Sequence, residues 1–148
     1  MSKNGRPVNI LLIEDNPGDV RLTKEAFKES GMNVNLSVVM DGVEALQYLR
    51  QEDNYTDAII PDLILLDLNL PKKDGREVLQ IIKTDDKLMC IPVVVLTTSG
   101  AEQDISNSYR LHANCYLNKP IEFDKFFDLI QKVEDFWLST TVLPTMIN

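Results

Sequence analysis

Short apolar runs alternate along this chain with longer amphipathic stretches, and this alternation restricts the fold more than any other feature of the sequence. The runs have the length of buried strands, and the stretches between them carry apolar residues at helical spacing. Strands that alternate with helices require crossover connections, which make the strands parallel and place helices on both faces of the sheet. We therefore expect an α/β fold, a (βα)5 doubly wound parallel five-stranded sheet.

The same pattern predicts where the strands and helices lie. The strands are predicted at Val8–Ile13, Val34–Val39, Leu63–Leu66, Pro92–Leu96 and Cys115–Leu117. The helices are predicted at about 17–30, 42–50, 75–84, 101–111 and 122–138. Asn16, Asp41 and Asp74 are suited to cap the first three helices, and Gly31 is suited to end the first. Glu77 lies three residues after Asp74, which predicts a capping box.

The composition fits one domain and opposes two classes of partner. With 148 residues, 44% of them hydrophobic, we expect a single domain over residues 1–148, with its core at about 8–138 and a tail at 139–148. A net charge of −8 opposes binding to nucleic acid, which needs Lys and Arg against phosphates. No stretch reaches the ~20 apolar residues of a membrane helix, and the N-terminus has no apolar targeting core. We therefore expect a cytoplasmic protein without membrane contact.

Polar and charged residues follow four of the predicted strands at the edge where the carboxyl ends of parallel strands meet. They are Glu14 and Asp15 after the first strand, Asp67 after the third, Thr97 and Thr98 after the fourth, and Lys119 after the fifth. Ligands of open parallel sheets bind at this edge. Neighbouring carboxylates repel one another unless a cation or a proton lies between them, and a set of oxygen ligands suits Mg²⁺. The sequence therefore predicts a magnesium site here.

The same residues are suited to phosphoryl transfer. The carboxylate of Asp67 can act as a nucleophile and form an acyl phosphate. Mg²⁺ and the ammonium group of Lys119 can neutralise the charge that develops. The hydroxyl group of Thr97 can donate a hydrogen bond to the same phosphoryl group.

Four segments, in this order and spacing, resemble the receiver domains of two-component response regulators. They are V-N-I-L-L-I-E-D, I-L-L-D-L-N-L-P-K-K-D-G, V-V-V-L-T-T-S and Y-L-N-K-P. The resemblance covers about residues 8–138, and Thr97 and Lys119 follow Asp67 at the spacing of the family pattern. It implies a flavodoxin-like receiver fold. It also implies a signalling protein, not an enzyme, whose chemistry is limited to its own phosphorylation and dephosphorylation.

Carried over residue by residue, the resemblance implies the metal ligands and the acceptor. Asp67 corresponds to the phosphoacceptor. Asp15 and Asp67 give carboxylate ligands to Mg²⁺, Asn69 gives its backbone carbonyl, and Glu14 acts mainly through water. The pair Glu14-Asp15 stands where many receivers have two Asp residues, and this longer arm is expected to leave metal binding intact.

The resemblance also implies phosphate-binding and switch residues. Thr97 and Lys119 bind the phosphoryl oxygens, and Tyr116 is the aromatic switch that moves inward when Thr97 engages the phosphate. The Lys119–Pro120 bond is expected to be cis. Thr98 stands where many receivers carry a smaller residue and, with Asn69, borders the path of a water that attacks the phosphoryl group. The lifetime of the phosphorylated state therefore stays open.

Further segments resemble a narrower group, the small response regulators that partner cyanobacterial phytochromes. They are N-P-G-D-V-R-L-T, D-G-V-E-A-L-Q-Y-L, L-N-L-P-K-K-D-G-R-E-V-L and F-W-L. This resemblance implies a sensor histidine kinase of the phytochrome type as the phosphodonor. The downstream protein is left open.

The last predicted helix is apolar on more than one side, which indicates an interface. A stripe at helical spacing is expected to face the core: Phe123, Phe126, Ile130, Val133 and Trp137. Further apolar residues lie off that stripe: Phe127, Leu129, Phe136 and Leu138. We expect a homodimer through this helix, the fifth strand and the helix before it, with Phe123, Phe127, Phe136 and Trp137 at the surface. The alternative is a broad core face covered by the tail Ser139–Asn148.

Two other functions remain alternatives at this stage. A phosphohydrolase of the haloacid dehalogenase type also forms an aspartyl phosphate, but it uses a second Asp two residues after the first as a general acid. Asn69 stands at that position and opposes this alternative. A receiver-like scaffold that is never phosphorylated is opposed by the complete set of Glu14, Asp15, Asp67, Thr97 and Lys119.

Overall fold

Five parallel strands form one sheet in the order β2-β1-β3-β4-β5 in the computed structural model, which describes residues 6–98 and 100–144. The strands are β1 (Val8–Ile13), β2 (Val34–Val39), β3 (Leu63–Leu66), β4 (Val93–Thr97) and β5 (Cys115–Asn118). The predicted doubly wound α/β fold is confirmed. Strand order reverses at β1, which pairs with β2 on one side and with β3 on the other.

Within the described residues, five α-helices connect and follow the strands. They are α1 (Pro17–Ser30), α2 (Gly42–Arg50), α3 (Gly75–Thr84), α4 (Glu102–Arg110) and α5 (Phe123–Glu134). A short 3₁₀ turn at Asp53–Tyr55 lies between α2 and β3, and a π-helical turn at Asp135–Thr140 continues α5. Among the helices that the structure describes, none has the length and apolar character to cross a membrane.

The first two helices begin and end where the sequence predicts. The side chain of Asn16 accepts a hydrogen bond from the backbone N–H of Asp19, and that of Asp41 accepts one from Glu44. Gly31 ends α1 with φ of 73°, a left-handed conformation that glycine adopts without steric cost. Local chemistry therefore sets these helix boundaries.

The third helix differs from the prediction at its start. Asp74 is its cap, but its carboxylate accepts a hydrogen bond from the backbone N–H of Arg76, at 2.9 Å. The side chain of Glu77 lies 3.7 Å from the ammonium group of Lys73. The predicted capping box is therefore wrong, because Glu77 pairs with the basic residue one turn before it instead of returning to the cap.

The sheet separates two apolar layers. Every residue of β3 is buried, with Ile64 and Leu66 in the layer under α2 and α3, and Leu63 and Leu65 in the layer under α1 and α5. This burial on both faces explains why the strand is continuously apolar rather than alternating. The layers leave the carboxyl edge of the sheet open to polar residues.

The last helix confirms part of the predicted stripe. Three of its side chains are buried: Phe126, Ile130 and Val133. Phe123 is 71% exposed, so its predicted core position is wrong. It is the first residue of α5, in a turn that extends beyond the packed layer. At the other end, Leu138 is buried and Trp137 only half-buried, because the π-helical turn gives the fifth residue after Val133 the inward position.

The peptide bond between Lys119 and Pro120 is trans, so the expected cis bond is wrong. The trans form of a bond before proline is the lower in free energy by about 0.5–1 kcal/mol.

Gly75 allows α3 to begin directly against the end of β3. A Cβ atom at this position would lie 2.3 Å from the backbone oxygen of Asp67 and 2.6 Å from the Cα of Leu68. The backbone N–H of Gly75 donates to the oxygen of Leu68, at 2.9 Å. The absence of a side chain at Gly75 therefore fixes the backbone path on which Asp67 lies.

We expect Gly75→Ala to lower the free energy of unfolding by about 1–3 kcal/mol, because the added methyl group displaces backbone in a packed region. Gly18→Ala, at an exposed position in the first turn of α1, is the matched control, since a Cβ there would meet only the side chain of Asn16 at 3.2 Å. Urea unfolding followed by circular dichroism measures both. Equal stability of the two variants would contradict the close packing at Gly75.

Candidate functional site

The candidate site lies at the carboxyl edge of the sheet, where β1 and β3 are neighbours. Glu14 and Asp15 directly follow β1, and Asp67 directly follows β3. Strand order reverses at this point, and such a reversal opens a crevice between the connecting loops. The fold therefore brings the three carboxylates together, although Asp15 and Asp67 are distant in the sequence.

The ammonium group of Lys119 lies among carboxylates. It donates to Oδ2 of Asp67 at 3.1 Å, to Oδ2 of Asp19 at 2.8 Å, and to Oε1 of Glu14. The side chain of Lys119 is 4% exposed, so these contacts are shielded from water. Burial of this cation is compensated by direct partners, as buried charges require.

Asp19 is a site residue that the sequence interpretation missed. It lies in the first turn of α1, and its side chain is 23% exposed, whereas the side chains of Glu14 and Asp67 are almost fully buried. One signal was available, since the helix after β1 begins at the carboxyl edge of the sheet, which places an acidic residue in its first turn near the strand-end residues. The strand-end criterion did not select it because it lies beyond the strand, inside the helix.

Burial dominates the electrostatics of Glu14. Removal from water raises the pKa of this carboxyl group to about 7, the neighbouring ammonium of Lys119 opposes the rise, and the charge of Asp67 adds to it. Burial on its own would lower the pKa of Lys119, but the hydrogen bonds to Asp19 and Glu14 raise it above its ordinary value. Lys119 therefore stays protonated at neutral pH, while the carboxyl group of Glu14 titrates close to neutral pH.

Three carboxylates are arranged to hold a cation. Glu14, Asp15 and Asp67 each offer one oxygen, and these oxygens lie within 4.8 Å of one another. Glu14 and Asp67 are buried, and Asp15 is exposed, so the cluster has a protected side and an open side. The all-oxygen donor set fits a hard divalent cation that keeps part of its water shell.

Asn69 connects this cluster to β4. Its backbone N–H donates to Oδ1 of Asp67 at 3.1 Å, and its side-chain Nδ2 lies 3.4 Å from Oγ1 of Thr97. Thr97 is fully buried at the end of β4, and Thr98, the next residue, is exposed. Both side-chain oxygens of Asp67 therefore have fixed partners, one on the Asn69 side and one on the Lys119 side.

Tyr116 lies on the same face of the sheet as Thr97. Thr97 is paired with Asn118 across the strands, and Val95 is paired with Tyr116, so Tyr116 and Thr97 are diagonal neighbours. The Tyr116 ring is partly buried against the layer under α2 and α3, and its backbone N–H donates to the hydroxyl oxygen of Tyr109 at 3.1 Å. A shift of Thr97 would thus change the packing on the sheet face that carries Tyr116.

The residues predicted for a dimer surface fall into two pairs. Phe127 and Trp137 are partly buried against the layer under α1 and α5 of their own chain. Phe123 and Phe136 are 71% and 52% exposed, and the ring of Phe136 meets that of Trp137 edge-on at 5.5 Å.

Part of the tail covers the same layer. Leu143 is 3% exposed and packs into it, as the alternative of a tail-covered core face predicted. Residues 145–148 of the predicted tail lie outside the described part of the chain.

Comparisons with known proteins identify the family of this chain. Residues 10–131 match the family model of the response regulator receiver domain. The chain is 50% identical to response regulator Rcp1 of Synechocystis sp. over 138 residues, which cover 93% of this chain and 94% of that protein.

Two solved structures share the fold closely. The crystal structure of the phosphorylated cyanobacterial phytochrome response regulator RcpA has a TM-score of 0.91 and 54% identity, covering 93% of this chain and 99% of that chain. The crystal structure of the Mn²⁺-bound form of response regulator Rcp1 has a TM-score of 0.91 and 50% identity, with the same coverage of 93% and 99%. The chain belongs to the receiver-domain family of response regulators.

Proposed function

We propose that this response regulator accepts a phosphoryl group on Asp67 from a sensor histidine kinase, in a Mg²⁺-dependent reaction. The observation that carries the proposal is the contact of Asp67 Oδ2 with the buried ammonium group of Lys119, inside a cluster of carboxylates. A cation fixed at a carboxylate in this way stabilises the negative charge that develops on an incoming phosphoryl group.

The transfer is a displacement at phosphorus. A carboxylate oxygen of Asp67 forms a bond to phosphorus while the bond between phosphorus and the histidine nitrogen of the kinase breaks, and the imidazole leaves. Lys119 pairs with a phosphoryl oxygen, and the hydroxyl of Thr97 donates to another. The backbone N–H of Asn69, which already donates to Asp67 Oδ1, keeps the carboxylate oriented during the approach of the donor.

Mg²⁺ is the proposed metal. Asp15 and Asp67 would hold it with their carboxylates, Asn69 with its backbone carbonyl, and Glu14 through a water molecule. Bound there, the ion would neutralise negative charge on the phosphoryl oxygens. The oxygen-only cluster supports this proposal, as does the Mn²⁺-bound form of the similar protein Rcp1.

Thr97 and Tyr116 are the proposed switch residues, and Thr98 is proposed to affect the lifetime of the acyl phosphate. Thr97 lies next to Asn69 and on the same sheet face as Tyr116, which supports a linked movement. Thr98 is exposed beside the site, where its side chain can limit the approach of water. Phosphorylation then shifts an equilibrium between two conformers by its differential interaction with them.

A phytochrome-type histidine kinase is the proposed phosphodonor. The similarity to RcpA, which is named a cyanobacterial phytochrome response regulator, supports this donor. The family assignment opposes the alternative of a haloacid dehalogenase-type phosphohydrolase. Such an enzyme uses a second Asp two residues after the first, and Asn69 stands at that position. The unphosphorylated scaffold remains the competing function, and the adduct experiment below separates it from the switch.

The output is proposed to pass through protein surfaces, including a homodimer formed by α5, β5 and α4. Exposed apolar side chains at the start and end of α5 support a contact there. Ile121 and Phe123 are 99% and 71% exposed, and Phe136 is 52% exposed. Phe127 and Trp137 would lie between this surface and the core of the same chain, since both are partly buried against that core.

Incubation with acetyl phosphate and Mg²⁺ is expected to add the mass of one phosphoryl group, measured by intact-protein mass spectrometry. Asp67→Asn is expected to abolish the adduct, because an amide is not a nucleophile for this reaction. Asp57→Asn, which removes an exposed carboxylate from the connection before β3, serves as the control and keeps the adduct. An unmodified wild-type chain with both acetyl phosphate and a phosphorylated kinase would favour the scaffold.

Mg²⁺ is expected to raise the unfolding temperature of the wild-type protein, because a ligand of the folded state stabilises it by mass action. The increase should be larger at pH 8 than at pH 6, since the pKa of Glu14 is raised to about 7 and its proton competes with the cation below that pH. Asp15→Asn should reduce the increase, and the control Asp57→Asn should keep it. A metal response that is the same in Asp15→Asn would contradict the proposed ligand set.

Sedimentation velocity is expected to detect a dimer at tens of micromolar protein, with or without a phosphodonor. The double substitution Phe123→Ser and Phe136→Ser should shift the protein to monomer, because it removes the exposed apolar contact. Ile59→Ser removes an equally exposed apolar side chain outside α4, β5 and α5 and should leave the dimer unchanged. A wild-type monomer both with and without phosphodonor would rule out this dimer.

A further inference from the structure

The ammonium group of Lys119 has used all its hydrogen-bonding capacity in this structure. A lysine ammonium has three N–H donors, and here they meet one oxygen each of Glu14, Asp19 and Asp67. The three acceptors come from different elements: the end of β1, the first turn of α1 and the end of β3. Any new partner of Lys119 must therefore replace one of these three.

The three acceptors differ in their relation to the cation cluster. Glu14 and Asp67 belong to the group of carboxylates whose oxygens lie within 4.8 Å of one another, together with Asp15. Asp19 is not a member of that group. A cation held by the cluster would compete with Lys119 for Glu14 and Asp67, and it would leave the contact with Asp19 available.

Asp19 is held firmly enough to serve as a fixed partner. Its backbone N–H donates to the capping side chain of Asn16 at 3.1 Å, and its backbone oxygen accepts from the hydroxyl of Thr23 at 2.7 Å. Thr23 is itself buried, so this turn of α1 is fixed against the core. The position of the Asp19 carboxylate is thus set by the helix, independently of the loops that carry Asp67 and Asn69.

We propose that Asp19 is the positioning residue for Lys119, keeping its ammonium group in the site when a divalent cation occupies the carboxylate cluster, so that Lys119 is in place for the incoming phosphoryl group. The inference rests on the proposed phosphorylation of Asp67. In the metal-free protein Asp19 is one of three partners of Lys119. In the metal-bound protein it is the partner that remains.

Asp19→Asn tests this role, because it keeps the size of the side chain and removes the charge. Glu25→Gln is the matched control, since it removes one exposed carboxylate from the same helix α1. We expect the rate of adduct formation with acetyl phosphate at saturating Mg²⁺ to fall about tenfold in Asp19→Asn, the usual size of the loss of one charge-assisted hydrogen bond. Glu25→Gln should match the wild type. Urea unfolding verifies that both variants are folded.

The second measurement observes Lys119 directly and does not depend on phosphorylation. The side-chain ammonium resonance of Lys119, detected by ¹H–¹⁵N NMR and assigned by its loss in Lys119→Arg, should be visible in both variants without metal. Addition of Mg²⁺ should leave it visible in the wild type and in Glu25→Gln. In Asp19→Asn the same addition should broaden it through exchange with water.

The outcomes separate this inference from the proposed function. A wild-type protein without any adduct contradicts the phosphorylation of Asp67, while the NMR comparison still decides whether Asp19 retains Lys119. If the wild type forms the adduct and Asp19→Asn forms it as fast or faster, Asp19 does not position Lys119. Retention of the Lys119 resonance in Asp19→Asn with Mg²⁺ would overturn the inference in the same way.

Discussion

One buried cation determines how the carboxylates at the edge of the sheet can coexist. Lys119 contacts Glu14, Asp19 and Asp67, and its side chain is 4% exposed. Burial of these carboxylates favours their protonated form, and it raises the pKa of Glu14 to about 7, although the ammonium of Lys119 opposes the rise. The ammonium group thus holds a strongly acidic site together before any metal enters. Its position depends on β5, so the edge strand of the sheet is needed for the site at the central strands.

Most of the fold could be predicted from the sequence because its signals are local. A continuously apolar segment such as Leu63–Leu66 indicates a strand covered on both faces, and Asn16 and Gly31 set the limits of α1 through their own backbone and side-chain chemistry. The edge at which Asp67 and Lys119 meet could also be predicted, since parallel strands place their carboxyl ends together.

Several of the differences depend on local geometry and contacts that the sequence pattern does not contain. The capping box of α3 fails because Asp74 accepts from the backbone N–H of Arg76, while the carboxylate of Glu77 lies beside the ammonium group of Lys73. The core stripe of α5 does not include Phe123, which is exposed at the start of the helix. At the other end, Leu138 is the buried residue, because a π-helical turn changes the number of residues per turn. Asp19 was missed because its partner comes from β5, far along the chain. Helical spacing alone did not indicate that contact.

The contacts of Asp67 also support the proposed switch. Asp67 is fixed by Lys119 on one oxygen and by the backbone N–H of Asn69 on the other, so the resting carboxylate is already oriented. The group next to Asn69 is Thr97, on the sheet face shared with Tyr116. A change of charge and size at Asp67 must therefore be accommodated by residues that lead away from the site. Because packed layers rearrange between discrete states, the proposed phosphorylation would reach the surface as a shift between conformers.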